Sequence, residues 1–375
     1  MLKYALRYTP LLILALLLVS LHFSVDGMAE QKGQVRQSPA SSPGGISSAL
    51  YSIAALPDGE AWAVGGSTTT QPASSGTPQG FPVPSSGIIL HYANNTWAPA
   101  RSTGHLQLPL LSVSLDSPQD GWAVGWTGTL VHYDGYAWST SPGPANFKQN
   151  LLAVAMLSST NGWAVGNSGT ILHYDGRRWQ LVSSPTTVDL HSVAFPSPSE
   201  GWAVGVGGTI LHYHHGVWNV VSPSPTGSIL NSVSMLSTGE GWAVGNQNTI
   251  LHYRDGTWEH IHPVSYYQHP LNSQAPVLSG IAMNSIRSGW IVGGSHLLTY
   301  SSEAWIDLTE TDEPSDALNN LSLFSVTVSP TAEGWAVGSI NGYNTMPHRP
   351  AGVILHYEAG KWVISLDLFF IPDLR

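Results

Sequence analysis

The chain contains no cysteine. Disulfides, thiolate nucleophiles and cysteine-ligated zinc are excluded together, so the fold must hold by packing. Charge is scarce too. Charged residues make up 10% of the chain, with 13 Lys+Arg against 23 Asp+Glu and a formal net charge of -10. Nucleic-acid binders need clustered basic side chains to displace counterions, and this balance argues against such a partner. It also leaves few groups for acid/base chemistry. Beyond the N-terminal segment no helical periodicity of useful length appears.

What is present begins with a leader. Lys3 and Arg7 precede the apolar run LLILALLLVSLHFSV, and small residues follow at Gly27 and Ala29. Residues 1–27 therefore read as a signal peptide or, if uncut, as an N-terminal membrane-anchor helix, because Tyr8 to Val25 is almost long enough to span a bilayer. Residues 28–48 are rich in Ser, Pro and Gly and read as a disordered linker. The globular part is expected over residues 49–375.

Tryptophan marks an internal repeat. A GWAVG-type Trp recurs at Trp62, Trp122, Trp163, Trp202, Trp242, Trp290 and Trp335, and a second one at Trp97, Trp138, Trp179, Trp218, Trp258, Trp305 and Trp362. A period of about 40 residues signals a propeller or an array. Each copy reads as four short strands: an alternating segment such as LHSVAF, then GWAVG, then TILHY, then the stretch from the second Trp. Gly-rich or Asp-Gly turns separate them. The expected fold is all-β, a seven-bladed β-propeller of four-stranded antiparallel blades starting near residues 50, 110, 151, 190, 230, 278 and 323. The repeated Trp and the His that precedes the strand-three Tyr are read as packing and hydrogen-bonding residues of the blades.

The spacings separate two rims. From the opening Leu of each copy to its first Trp is 12 residues in all seven, and from the strand-three Tyr to the second Trp is 5. The other two intervals vary: Gly65 to Tyr92 is 27 residues and Gly338 to Tyr357 is 19, where four copies have 8. In an up-and-down blade the constant intervals turn at one rim and the variable ones at the other. All insertions thus fall on one face, and loops on a rigid scaffold are where binding residues concentrate. Ring closure then brings the insertions of blades seven and one together. Candidate contacts on this face are Trp126, Phe81, Tyr343, Arg349, Tyr266 and Tyr267. Arg101 is expected there as well. Neither a catalytic constellation nor a metal or cofactor site is assigned; His260, His262 and His269 form only a weak ligand pattern.

The motif GWAVG followed by GTILHYDGxxW resembles the repeats of the photosystem II stability/assembly factor propellers, which are related in pattern to neuraminidase (Asp-box) repeats. Gly176 and Trp179 match the Gly and Trp of the Asp-box, while Leu172 and Tyr174 stand at its Ser and Asp positions. The resemblance implies a propeller fold and either capture of a membrane-protein precursor or sialidase-type chemistry. The sialidase clamp uses three Arg, and this face offers only Arg101 and Arg349. The expectation is a monomeric, non-enzymatic, extracytoplasmic binding scaffold for a protein or glycan, secreted or held to a membrane only by an uncut leader. The alternative is a glycan-acting enzyme or lectin of the neuraminidase-repeat type.

Overall fold

The structure, a computed structural model, describes residues 46–70, 82–261, 275–301, 303–310, 320–329, 333–341, 350–358 and 360–367. The N-terminal leader lies outside them. Blade one comprises β1 (Ile46–Ala55), β2 (Ala61–Thr70), β3 (Pro82–Ala93) and β4 (Thr96–Pro99). Blade two has β5 (Leu110–Ser117), β6 (Asp120–Gly125), β7 (Leu130–Tyr133) and β8 (Trp138–Thr140). Blade three has β9 (Leu151–Ser158), β10 (Asn161–Gly166), β11 (Ile171–Tyr174) and β12 (Trp179–Leu181). Blade four has β13 (Leu190–Ser197), β14 (Glu200–Gly205), β15 (Ile210–His214) and β16 (Val217–Val220). Blade five has β17 (Leu230–Ser237), β18 (Glu240–Gly245), β19 (Thr249–Arg254) and β20 (Thr257–Ile261). Blade six has β21 (Gly280–Ser285), β22 (Ser288–Gly293), β23 (His296–Ser301) and β24 (Ala304–Asp307). Blade seven has β25 (Leu321–Val328), β26 (Gly334–Asn341), β27 (Pro350–Glu358) and β28 (Lys361–Asp367).

Each blade is a separate antiparallel sheet with its strands in sequence order. The expected all-β propeller of seven four-stranded blades is what the chain forms. Among the described residues no blade borrows a strand from the other end of the chain, so the ring closes by side-to-side contact of whole blades and not by a shared sheet. β1 begins earlier than expected: Ile46, Ser47 and Ser48, expected in the linker, pair with β2.

The alternation within GWAVG explains the packing. Trp and Val of one blade face forward and Ala faces back, so Trp62 and Val64 of blade one bury against Leu110, Val113, Ala123, Val131 and Trp138 of blade two. The same interface repeats around the ring and finishes with Trp335, Val337 and Ile354 of blade seven against Leu50, Ile53 and Ala63 of blade one. Aromatic rings follow the same rule. Each first Trp meets the Tyr of the next blade, as in Trp62–Tyr133 at 4.7 Å and Trp335–Tyr92 at 4.6 Å. In six interfaces it also meets the next blade's second Trp edge to face, as in Trp122–Trp179 at 5.3 Å and Trp335–Trp97 at 5.4 Å. Such pairs add directional contacts to the area they bury.

First strands of neighbouring blades touch all the way round and so surround the axis. Their inner edges would leave N–H groups unpaired, and serines of the preceding blade supply acceptors. Val113 N–H donates to Ser52 Oγ at 3.2 Å, Val154 N–H to Ser112 Oγ at 3.1 Å and Val233 N–H to Ser192 Oγ at 3.2 Å. The Leu-x-Ser-Val pattern of the first strands thus satisfies backbone that no further strand covers.

Candidate functional site

The strand order places the β2–β3 type of turn and the blade-to-blade connections on one rim, with the other turns on the opposite rim. In blades two and three the variable-rim turn is short and tied down. Thr127 N–H donates to Asn150 Oδ1 at 2.8 Å, and Ser168 N–H to Asp189 Oδ1 at 2.7 Å, each acceptor standing just before the next opening Leu.

Blades one and seven rise above this level. β1, β2 and β3 stay paired out to Ile46 opposite Thr69 and Thr70 opposite Pro82. Counted from Gly65, that raises blade one by about 16 Å at the usual rise of a strand. β26 and β27 stay paired out to Asn341 opposite Pro350, a rise of about 10 Å beyond Gly338. Closure of the ring sets the two hairpins side by side. Gly352 N–H of blade seven donates to Ser48 Oγ of blade one at 3.3 Å, and within blade one the Ser67 and Ser86 hydroxyls lie 2.6 Å apart.

At the axis, one register position of this rim is filled by the residue after each opening Leu: Tyr51, Leu111, Leu152, His191, Asn231, Ser279 and Phe324, all half-buried. The apolar members Phe324, Tyr51, Leu111 and Leu152 fall on four consecutive blades, seven, one, two and three. Tyr51 and Phe324 approach with ring centroids 5.8 Å apart, and burial pushes the Tyr51 hydroxyl pKa up. The opposite arc is polar, and Asn231 Nδ2 there donates to Leu278 O at 2.8 Å. This sidedness escaped the sequence reading, although the position after each opening Leu carried it.

Trp126 stands in the turn between β6 and β7, on the variable rim and 38% exposed, with its N–H donating to Pro109 O at 3.2 Å. Asn167, Val206 and Asn246 occupy the corresponding place in blades three to five. Phe81, Tyr266, Tyr267, Tyr343 and Arg349 lie outside the described residues, as do His262 and His269. Arg101 is not on the variable face. Its carbonyl accepts from Trp138 N–H at 3.0 Å and its guanidinium lies 4.3 Å from the Tyr136 ring, in the turn between β7 and β8 on the constant rim. The connection from blade one first pairs with the outer strand of blade two, and that draws Arg101 down.

The repeated His residues lie on strand three directly opposite the first Trp. His91 stacks on Trp62 at 3.8 Å, His212 on Trp202 at 3.9 Å and His356 on Trp335 at 3.8 Å. In blades one, two and five a carboxylate at or just before the start of strand two holds the imidazole: Glu60 to His91 at 3.0 Å, Asp120 to His132 at 2.9 Å and Glu240 to His252 at 2.5 Å. In blade three Asn161 replaces the acid, and burial lowers the His173 pKa against the opposing pull of Asp175. Asp116 sits near the Asp120 pair, and burial followed by the charge of Asp120 raises its carboxyl pKa. Asp134 and Asp175 accept from backbone N–H groups two and three residues on, the local bonding of Asp-Gly hairpins.

Blade four departs from this scheme. Its turn reads His214–His215–Gly216 where blades two and three have Asp-Gly, so Glu200 is bonded by two imidazoles, His212 and His214. Blade six departs as well. Thr299 replaces the stacked His, and at the variable rim His296 Nδ1 lies 2.7 Å from Asp307 Oδ2.

A family model described as photosynthesis system II assembly factor YCF48 matches residues 175–266. A solved structure titled YCF48 bound to D1 peptide is 18% identical, with a TM-score of 0.57 over 80% of this chain and 93% of that one. The propeller is like that of the photosystem II assembly factor. YCF48 from Cyanidioschyzon merolae gives a TM-score of 0.55 at 14% identity over 79% of this chain and 94% of its own. The RRP9 WD40 repeats reach a TM-score of 0.57 at 9% identity, over 81% of this chain and 92% of theirs. No curated protein sequence matches the chain. At these identities the solved structures speak for the fold. The family match runs from the last turn of blade three through blade five.

Proposed function

We propose that this chain is a non-enzymatic, extracytoplasmic scaffold that binds a protein partner on its variable rim. The carrying observation is geometric: the raised hairpins of blades seven and one stand beside the apolar arc of Phe324, Tyr51, Leu111 and Leu152, with Trp126 on the adjoining blade. A raised wall next to an apolar mouth suits an extended peptide segment, which gains from both edge and pocket contacts. The D1 peptide named with the similar YCF48 structure supports the same class of partner. Export rests on the basic and apolar composition of residues 1–27.

The test is capture of partners from an envelope extract by the immobilised full-length chain, beside a version whose residues 66–87 and 339–352 are shortened to turns of the blade-three kind. A D1-type peptide serves as a defined probe. Protein capture by the full chain that disappears on shortening is the expected result. Equal capture by both versions, or saturable binding of glycans alone, overturns the reading.

A further inference from the structure

We propose that Glu200, His212 and His214 of blade four form a binding site for a divalent transition-metal ion of the zinc class. The site lies on the constant rim, away from the docking surface, and does not depend on the function proposed above. One ligand atom from each of the three side chains lies within 4.8 Å of the other two. Two imidazoles and one carboxylate are the donor set that zinc accepts with a coordination position left open.

The site is assembled by strand register. Glu200 of β14 is paired directly with His214 of β15, and His212 is paired with Trp202 two residues further along. Residues two apart on a strand share a face, so the three donors project from one side of the sheet. Trp202 backs the arrangement, its ring stacked on His212 at 3.9 Å with 4° between the planes. His212 Nε2 and His214 Nδ1 both point at Glu200, one at each carboxylate oxygen. Tetrahedral zinc spaces its ligand atoms by about 3.3 Å for bonds of about 2.0 Å, so small side-chain rotations would admit the ion. The Glu200 side chain is 16% exposed, that of His212 28% and that of His214 44%, which leaves a route in from solvent.

The other blades show what is particular here. The same three positions hold Glu60, His91 and Ala93 in blade one, Asp120, His132 and Asp134 in blade two, and Glu240, His252 and Arg254 in blade five. A single imidazole facing a carboxylate is therefore the ordinary structural pair of this propeller. Stability of the blade does not require the second imidazole.

The experiment is a competition titration of the metal-stripped full-length chain with Zn2+ against a chromophoric chelator, repeated for His214→Arg, Glu200→Gln and His252→Asn. Arg is what blade five carries at the His214 position, so that variant is compatible with the fold, and its circular dichroism and melting temperature are recorded. The wild type is expected to bind one Zn2+ per chain and to melt at higher temperature with it. Affinity should fall at least tenfold in His214→Arg and in Glu200→Gln and stay unchanged in His252→Asn. Absence of zinc binding by the wild type, or equal affinity in the wild type and His214→Arg, overturns the proposal; the latter would move the bound ion to other histidines.

Discussion

The glycine that ends each GWAVG is required by crowding. The backbone of Gly205 is extended, with φ -172°, a conformation any residue adopts. A Cβ on Gly205, however, would lie 2.0 Å from the carbonyl oxygen of Asp189, and one on Gly166 would lie 2.0 Å from that of Asn150. Strands one and two cross closely at this point, beside the register shift between Leu190 and Ser192. Gly205→Ala should therefore destabilise the protein by about 1 to 3 kcal/mol, the usual cost of overpacking. Urea unfolding measures it, and an unchanged midpoint would mean that the bulge relaxes without cost. On the exposed side, Trp126→Ala should weaken partner binding at least tenfold with little change in melting temperature, because the residue is 38% exposed and lies outside the seven core clusters. Isothermal titration with the captured partner reads this directly.

Blade six shows how one element keeps the fold while changing its polar contacts. Burial pushes the carboxyl pKa of Asp307 up, but the hydrogen bonds from His296 and Thr309 outweigh it and hold the value below the ordinary carboxylate range. A lowered folded value means that the unfolded chain binds the proton more readily, so stability rises with pH through that window. The Asp307 contribution is thus present above the unfolded carboxylate range, near pH 4, and is lost as pH falls through the lowered folded value. Acid unfolding followed by tryptophan fluorescence should show a shallower dependence below about pH 4 in Asp307→Asn than in the wild type. Equal slopes would assign the acid sensitivity to other carboxylates.

For the whole molecule the decisive contact is between blades seven and one. With no strand shared across the closure among the described residues, the seam is held by Trp335, Val337 and Ile354 against blade one, by the Trp335–Trp97 pair at 5.4 Å, and by Gly352 on Ser48. A chain ending at Asn320 would expose two apolar blade faces, those of Trp290 and of Leu50. It should lose its single cooperative unfolding transition, since each blade buries its faces only against neighbours. Differential scanning calorimetry checks this, and an unaltered sharp transition in the shortened chain would show that the seam contributes little.

Much of this was legible in the sequence because the signal is local and repeated. The alternation of Trp, Ala and Val sets which residues face each neighbour, and two intervals constant in all seven copies against two that vary separate the rims without coordinates. The expected packing role of the repeated Trp and His follows from the same alternation, since residues opposite one another on adjacent strands must meet. Tertiary structure decided what depends on register between distant segments. It raised the insertions of blades one and seven as paired hairpins, gathered Tyr51 and Phe324 at the closure, drew Arg101 to the constant rim along β8, and turned His212, His214 and Glu200 toward one point. Those outcomes rest on which strands lie side by side and how far their pairing extends, and spacing along the chain carries neither quantity.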